Sequence, residues 1–296
     1  MLFSLAAAAA SLFAQDLTPR AYLITPTGSH AVILSSSFNQ GAVLADPSAP
    51  IEDGKGTFAV PVLAYYQSFG LFGRSSNVTL MLPYAVGNFQ GTVNGAPDQA
   101  YRSGLADGRI RFSLNLSGGR AMSAGEFVKW REKRIIGASL TVTIPSSQYN
   151  PAHLLNIGTN RWGFKPEVGM TRRWGRWVAD WYIGAWFFTA NHAFFPGDSL
   201  RTQKPVVAGE GHLGYYLKPR LWASLNVNFW AGNRSTVNGV EKQDQQKNSR
   251  IGGTVSIPVS RRNSVKFSYS RGTYVTIGGD FSTVSVAWQY SWLSAR

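Results

Sequence analysis

Strict alternation of apolar and polar residues is the feature that most constrains the fold of this chain. In the stretch GRIRFSLNL, residues 108–116, Ile110 and Phe112 share one parity, while Arg109 and Arg111 fall on the other. Successive side chains of a β-strand point to opposite faces, so this segment predicts a strand with one apolar face and one cationic face. The fold must therefore offer both apolar and polar surroundings to a single sheet.

The same alternation recurs along the chain and predicts an all-β fold of about twelve strands. The composition agrees, because 31 glycines and 13% aromatic residues suit many strands joined by tight turns. The predicted strands lie near residues 29–38, 57–68, 75–87, 99–116, 134–145, 161–172, 177–188, 203–217, 221–230, 248–258, 263–271 and 280–292.

The lengths of the connections indicate a membrane barrel. From residue 161 onward, the short links RWGR, KPR and SRRN alternate with longer links that include residues 189–202 and 231–247. Outer-membrane barrels have tight periplasmic turns and longer external loops. An even number of strands also lets the sheet close without exposed edges. We therefore predict an up-and-down antiparallel transmembrane β-barrel over residues 29–292.

The two ends of the chain are expected to lie outside this barrel. The apolar stretch at residues 2–14 predicts a signal peptide, residues 1–14, although no basic residue precedes it; a short buried helix is the alternative. We expect residues 15–28 to form an N-terminal periplasmic segment and residues 293–296 to form a C-terminal tail.

One connection on the periplasmic side, residues 117–134, is too long for a tight turn. Its SAGE sequence, Ser123 to Glu126, has the spacing of a capping box and predicts a short helix with Phe127 and Trp130 on one side. Such a helix either plugs or braces the periplasmic mouth, or lies solvated on the surface.

The cationic parity must face the barrel interior. An Arg on the lipid face at mid-depth would cost about 2–4 kcal/mol. Either the interior charges pair across the lumen, as Lys165 or Arg250 could with Glu167, Asp180 or Glu210, or the excess of cations attracts anionic solutes. The candidate lumen-lining residues are Arg109, Arg111, Arg161, Lys165, Glu167, Asp180, Glu210, His212, Arg250 and Lys266.

We expect no catalytic, metal or cofactor site from sequence spacing. None of the four histidines, His30, His153, His192 and His212, has a second His at i+4 or a Cys neighbour. The formal charge of +14 is spread through strands and turns, which argues against nucleic-acid binding. Spacing alone leaves open a hydrolase triad built around His212 or His153.

Most of the chain resembles a bacterial family known as MetA-pathway of phenol degradation. The similar runs include YNPAHLLNIGTNRWGFKPEVGM from residue 149, LWASLNVNFWAGNRSTVNGV and, upstream, YRSGLADGRIRFSLNL. The resemblance implies an outer-membrane β-barrel of Gram-negative bacteria and a link to the uptake of aromatic compounds. It also implies recognition by the outer-membrane assembly machinery, for which Trp292 would supply the C-terminal aromatic signal.

These observations predict a channel surrounded by membrane lipid that takes up small solutes passively. Small aromatic or anionic compounds that feed a degradation pathway are the expected solutes. The alternative is a barrel without an open pore, which would be either a closed structural barrel or a lipid hydrolase.

Overall fold

The computed structural model describes residues 17–44, 51–93, 95–131 and 133–294, so the predicted signal peptide lies outside the described residues. Within these ranges the chain is almost entirely β-strand, with one short helix, α1, at Ala124–Lys129. The strands are β1 (Ser29–Leu44), β2 (Ile51–Leu71), β3 (Arg74–Val93), β4 (Ala96–Leu105), β5 (Gly108–Ser117), β6 (Arg134–Ile144), β7 (Gly163–Trp174), β8 (Trp177–Phe188), β9 (Asn191–Phe194), β10 (Ser199–Gln203), β11 (Val206–Lys218), β12 (Leu221–Gly232), β13 (Ser235–Val237), β14 (Val240–Glu241), β15 (Gln246–Pro258), β16 (Asn263–Val275) and β17 (Gly278–Leu293).

The long strands form one closed antiparallel barrel. Neighbours follow the order β2-β1-β17-β16-β15-β12-β11-β8-β7-β6-β5-β3, and pairing of β2 with β3 closes the sheet. Strands β4 and β5 both pair with β3, at different ends of it, and together fill one position in the wall. The predicted twelve-stranded, up-and-down barrel is confirmed.

The predicted strand 99–116 is divided at Ala106 and Asp107. Asp107 is buried, and its carboxylate accepts hydrogen bonds from the backbone N–H of Ser147 at 3.3 Å and of Thr159 at 2.9 Å. The break therefore provides an anchor for the connection between β6 and β7. Two other long connections form a second, four-stranded sheet of β9, β10, β13 and β14, whose strands are too short to show a period in the sequence.

Alternation along each strand separates a polar interior from an apolar exterior. Leu225 and Val227 on β12 are 66% and 51% exposed, while Asn226 between them is 1% exposed. Tyr182 and Trp186 on β8 share the parity of Asp180 and are also buried inside the barrel. The barrel interior is thus packed with hydrogen-bonded polar groups and a few large rings.

The predicted capping box is present and starts α1. The Ser123 side chain accepts from the Glu126 N–H, and the Glu126 carboxylate accepts from the Ser123 N–H at 2.8 Å. None of the residues of α1 is fully buried, but Phe127 and the following Trp130 are partly buried against a buried cluster at the mouth of the barrel. Among the described residues, no helix is long and apolar enough to cross a membrane.

Candidate functional site

The interior of β5, β6 and β7 presents charged and polar side chains in layers. In the strand register, Arg109 is level with Thr143, and Arg111 is level with Thr141 and Lys165. In the next layer, Ser113 and Ser139 are level with Glu167. Arg109 and Arg111 thus lie on the same face of the wall as the buried Glu167.

A compact charge cluster joins this wall to β11, which is separated from β7 by β8. Lys165 Nζ lies 2.6 Å from Glu167 Oε2 and 3.5 Å from Glu210 Oε1. Arg111 Nη2 lies 3.6 Å from Glu167 Oε1. Two cations therefore face two carboxylates, and all four side chains are at most 17% exposed. Among the pairings that the sequence allows for Lys165, the structure contains those with Glu167 and Glu210.

The N-terminal segment, residues 17–28, passes inside the barrel and uses these same side chains. The Thr18 N–H donates to Glu210 at 3.4 Å, and the Arg20 N–H donates to Asp180 at 3.1 Å. Arg111 in turn donates to the Ala21 carbonyl at 3.3 Å. Residues 15–28 are predicted from the sequence to be a periplasmic segment. The described part instead enters the lumen, because interior carboxylates supply acceptors for its free backbone N–H groups.

Tyr22 anchors this segment in a socket made by two glycines. Its hydroxyl lies 3.0 Å from Ser139 Oγ and donates to Glu167 Oε1 at 3.0 Å. A methyl group at Gly137 or Gly169 would lie only 2.4 or 2.2 Å from the Tyr22 ring. These glycines face each other across β6 and β7, so the absence of both side chains leaves the space that the ring fills.

Apolar contacts also hold the inserted segment at the periplasmic mouth. Tyr22, Ile24, Met122, Ile135 and Tyr182 form a buried cluster. Phe127 and Trp130, at the end of α1, pack against that cluster. The connection 117–134 therefore braces the inserted segment, which is the first of the two alternatives considered for it.

His212 lies beside this cluster, within hydrogen-bonding distance of Asn226. His212 Nδ1 is 2.9 Å from Asn226 Oδ1, and Ser224 Oγ donates to the same oxygen at 2.9 Å. The other ring nitrogen, Nε2, lies 3.4 Å from Glu210. A hydrolytic triad would require a serine hydroxyl on Nε2, and in the described residues Ser224 is bound to Asn226 instead. His153 lies in the connection between β6 and β7, away from His212 in the barrel wall.

A second cationic group lies at the opposite, extracellular end. Arg161 and Arg201 are 3% and 7% exposed, and their guanidinium groups lie over the rings of Phe188 at 4.3 Å and Phe194 at 5.0 Å. Arg201 has Asp244 at 3.8 Å, whereas the three guanidinium nitrogens of Arg161 have no hydrogen-bond acceptor among the described residues. Burial, together with the charge of Arg201, lowers the pKa of Arg161.

The remaining candidates lie on other parts of the wall. Arg250 donates to Ser270, Thr283 and the Phe281 carbonyl at 2.8–3.0 Å. These three partners are neutral oxygens. Lys266 lies 5.9 Å from the Trp222 ring. The described residues contain no group of three His, Cys, Asp or Glu side chains that could hold a metal ion.

Sequence reasoning missed Tyr22 and its two glycines. The segment around Tyr22 has no strand period, and a single tyrosine near the N-terminus carries no signal. The glycines were visible, because Gly137 and Gly169 both share the parity of interior residues on neighbouring predicted strands. Two such glycines at one level of a barrel wall indicate that a side chain from elsewhere fills the space.

Comparisons with solved structures support the fold. The COG4313 outer membrane channel from Pseudomonas putida F1 is 18% identical and has a TM-score of 0.79, with 94% of this chain and 100% of that chain covered. The transport unit of the autotransporter AIDA-I from Escherichia coli is 9% identical, with a TM-score of 0.53 and coverage of 98% and 96%. The β domain of the Bordetella autotransporter BrkA is 10% identical, with a TM-score of 0.50 and coverage of 90% and 100%. At these identities the similarity concerns the fold alone.

No curated protein sequence matches the chain. The sequence profile of the family described as MetA-pathway of phenol degradation matches residues 46–288, which is most of the chain and nearly all of the barrel. The resemblance noted in the sequence is therefore confirmed. The chain is an outer-membrane β-barrel and belongs to the MetA-pathway of phenol degradation family.

Proposed function

We propose that this protein is a channel for passive uptake of small aromatic or anionic solutes, and that its N-terminal segment closes the lumen at rest. The observation that carries the proposal is the way this segment is held. Residues 17–26 are held by hydrogen bonds to interior side chains, by the Tyr22 socket and by apolar contacts. Backbone hydrogen bonds from the segment to the rest of the described chain are confined to its end, where the Thr27 and Gly28 N–H groups donate to the Met122 and Ser68 carbonyls. The segment can therefore leave without breaking the strand ladder.

The charges of the lumen support an anionic solute. The carboxylates Glu167 and Glu210 are neutralised by Lys165 and Arg111, so they add little negative field. Arg161 and Arg201 lie at the extracellular end, where a solute enters. A cation whose N–H groups lack acceptors favours a carboxylate or another anion.

The aromatic groups along the path support an aromatic solute. Phe188 and Phe194 lie beside the two extracellular arginines, and Tyr22 and Tyr182 pack edge to face at 5.2 Å lower down. When Tyr22 leaves its socket, the space against Gly137 and Gly169 suits another flat ring of similar size. The family's association with phenol degradation and the channel described for the Pseudomonas protein agree with this assignment.

Single-channel recording in planar bilayers tests the proposal. We expect the full chain to be closed for most of the time and to open in brief, anion-selective steps. Tyr22→Ala should raise the open fraction at least tenfold, because loss of a buried aromatic ring costs about 3 kcal/mol. A correctly folded Tyr22→Ala variant that stays silent would instead indicate a closed structural barrel.

The alternative of a lipid hydrolase is tested separately. The arrangement of Ser224, Asn226 and His212 leaves His212 Nε2 without a serine partner in the described residues. We therefore expect no release of fatty acid from phospholipid by the purified protein. Release that disappears in His212→Ala would overturn this expectation.

A further inference from the structure

The periplasmic side of the barrel carries an excess of positive charge. Its connections include RRWGR at residues 172–176, KPR at 218–220 and SRRN at 260–263, and the longer connection adds further basic residues. In the described part of these connections Glu126 is the one acidic residue, and it pairs with Arg120 at 3.4 Å. Extracellular cations are balanced more often, as in the pairs Lys204–Glu241 at 3.4 Å and Arg234–Glu241 at 2.6 Å.

Two of the periplasmic cations lie on the outer wall of the barrel. Arg134 on β6 and Arg172 on β7 are directly opposite each other in the strand ladder. Both are exposed, while Ile135 and Thr171 beside them point inward and are 0% and 2% exposed. Arg134 and Arg172 therefore continue the lipid-facing columns of their strands.

In the part of the chain that the structure describes, the two guanidinium groups have no anionic partner. Among the described residues, neither Arg134 nor Arg172 makes an ion pair or a side-chain hydrogen bond. Cα atoms of directly opposed antiparallel residues are about 4.5–5.5 Å apart. Like charges on directly opposed residues repel and weaken the sheet unless an anion lies between them.

Tryptophans place this pair at the level of the lipid headgroups. Trp174 and Trp177 face each other across the β7–β8 hairpin and are 46% and 42% exposed. Trp174 shares the outward parity of Arg172 and lies two residues closer to the periplasm. Aromatic girdles mark the membrane interface, and long basic side chains reach towards headgroups from just inside it.

We propose that Arg134 and Arg172 together bind the phosphate of an anionic phospholipid in the periplasmic leaflet. The planar guanidinium group donates paired hydrogen bonds to phosphate, and two of them from adjacent strands can hold one headgroup. The surrounding basic turns favour a lipid of net negative charge over a zwitterionic one. Arg134 and Arg172 lie on the outward face of the wall, which favours a lipid as the ligand. A soluble acidic protein would instead contact the periplasmic turns.

Lipid retention measured by native mass spectrometry tests this site. The full chain in detergent is incubated with equal amounts of phosphatidylglycerol and phosphatidylcholine, and bound lipid is counted. We expect preferential retention of phosphatidylglycerol, reduced at least tenfold in Arg134→Gln/Arg172→Gln. The control Lys129→Gln/Arg261→Gln removes the same charge from α1 and a turn, off the outer wall, and should retain the lipid. Arg134→Lys/Arg172→Lys keeps the charge without the planar groups. Its retention of phosphatidylglycerol should lie between that of wild type and that of Arg134→Gln/Arg172→Gln.

Three outcomes would overturn the proposal. Equal losses in the two Gln double variants would assign binding to overall charge. Displacement of the lipid by an equal concentration of glycerol phosphate would assign the site to a soluble phosphate. Unchanged retention in Arg134→Gln/Arg172→Gln, with folding confirmed by heat-modifiable gel migration, would show that this pair does not bind lipid. The basic turns would then be better explained as a binding surface for a soluble acidic protein. Each variant is also tested for conductance, so that failure here is separable from failure of the channel.

Discussion

The ring of Tyr22 occupies the place that a side chain at Gly169 would take, since a methyl group there would lie 2.2 Å from the ring. The wall thus has room for this ring because Gly169 carries no side chain. The barrel and its inserted segment are complementary in shape at this point, and a change on either side should separate them.

Gly169→Ala should therefore open the channel with the tyrosine still present. The added methyl group displaces the Tyr22 ring, and we expect the open fraction in planar bilayers to rise at least tenfold, as in Tyr22→Ala. Gly163→Ala is the matched control on the same strand and face, because a methyl group there meets Thr143 at an ordinary 3.4 Å. Wild-type gating in folded Gly169→Ala would show that the socket does not hold the segment.

The strands of the barrel wall could be predicted from the sequence, but the segment that is inserted in the lumen could not. Period-two alternation located the barrel strands and the parity of Lys165 and Glu167. This works because successive residues of a strand face lipid and lumen in turn and are apolar or polar accordingly. The broken strand at Asp107 and the inserted Tyr22 depend on contacts between residues distant in sequence. No local period records such contacts, so only the three-dimensional fold brings Tyr22 to Glu167.

Lys165→Met should reduce the folded yield of the barrel. Lys165 lies within 3.5 Å of both Glu167 and Glu210. Its loss leaves Glu167 with Arg111 at 3.6 Å, and leaves Glu210 with His212 at 3.4 Å and the Thr18 N–H. Removal of one partner of a buried pair costs about 3–5 kcal/mol. Urea unfolding in detergent should show the loss, and Glu167→Gln in the same chain should restore part of it. A stability unchanged from wild type would mean that the cluster is solvated.

Arg109→Ser and Arg111→Ser should have different effects on the current. Both remove an interior cation, so the reversal potential in a salt gradient should move towards cation preference in each. Arg111 also bonds the Ala21 carbonyl and lies 5.0 Å over the Tyr22 ring. We therefore expect Arg111→Ser alone to raise the open fraction as well, by about tenfold for a lost charge-assisted hydrogen bond. Equal gating in the two variants would contradict this role of Arg111.

Ser123→Ala should loosen the brace formed by α1. The capping box holds the first turn of this helix, and loss of an N-cap side chain costs about 1 kcal/mol. Hydrogen exchange should become faster in residues 124–129, and spontaneous openings should become severalfold more frequent. Faster exchange without a change in openings would show that Phe127 and Trp130 pack against the mouth without holding it shut.

Arg161→Met should weaken the entry of aromatic carboxylates from the extracellular side. The N–H groups of Arg161 are buried and lack acceptors among the described residues, and Phe188 covers the face of its guanidinium group. A benzoate ion that displaces the neighbouring side chains would pair with the edge of this group. We expect the benzoate concentration that halves the chloride current to rise at least tenfold, while neutral phenol shows no change. Arg102→Met is the control, because Arg102 already donates to the Leu155 and Tyr101 carbonyls at 2.8 Å. If the two variants respond alike to benzoate, the extracellular arginines act only through their overall charge, and the selectivity for anions must arise deeper, at Arg109 and Arg111.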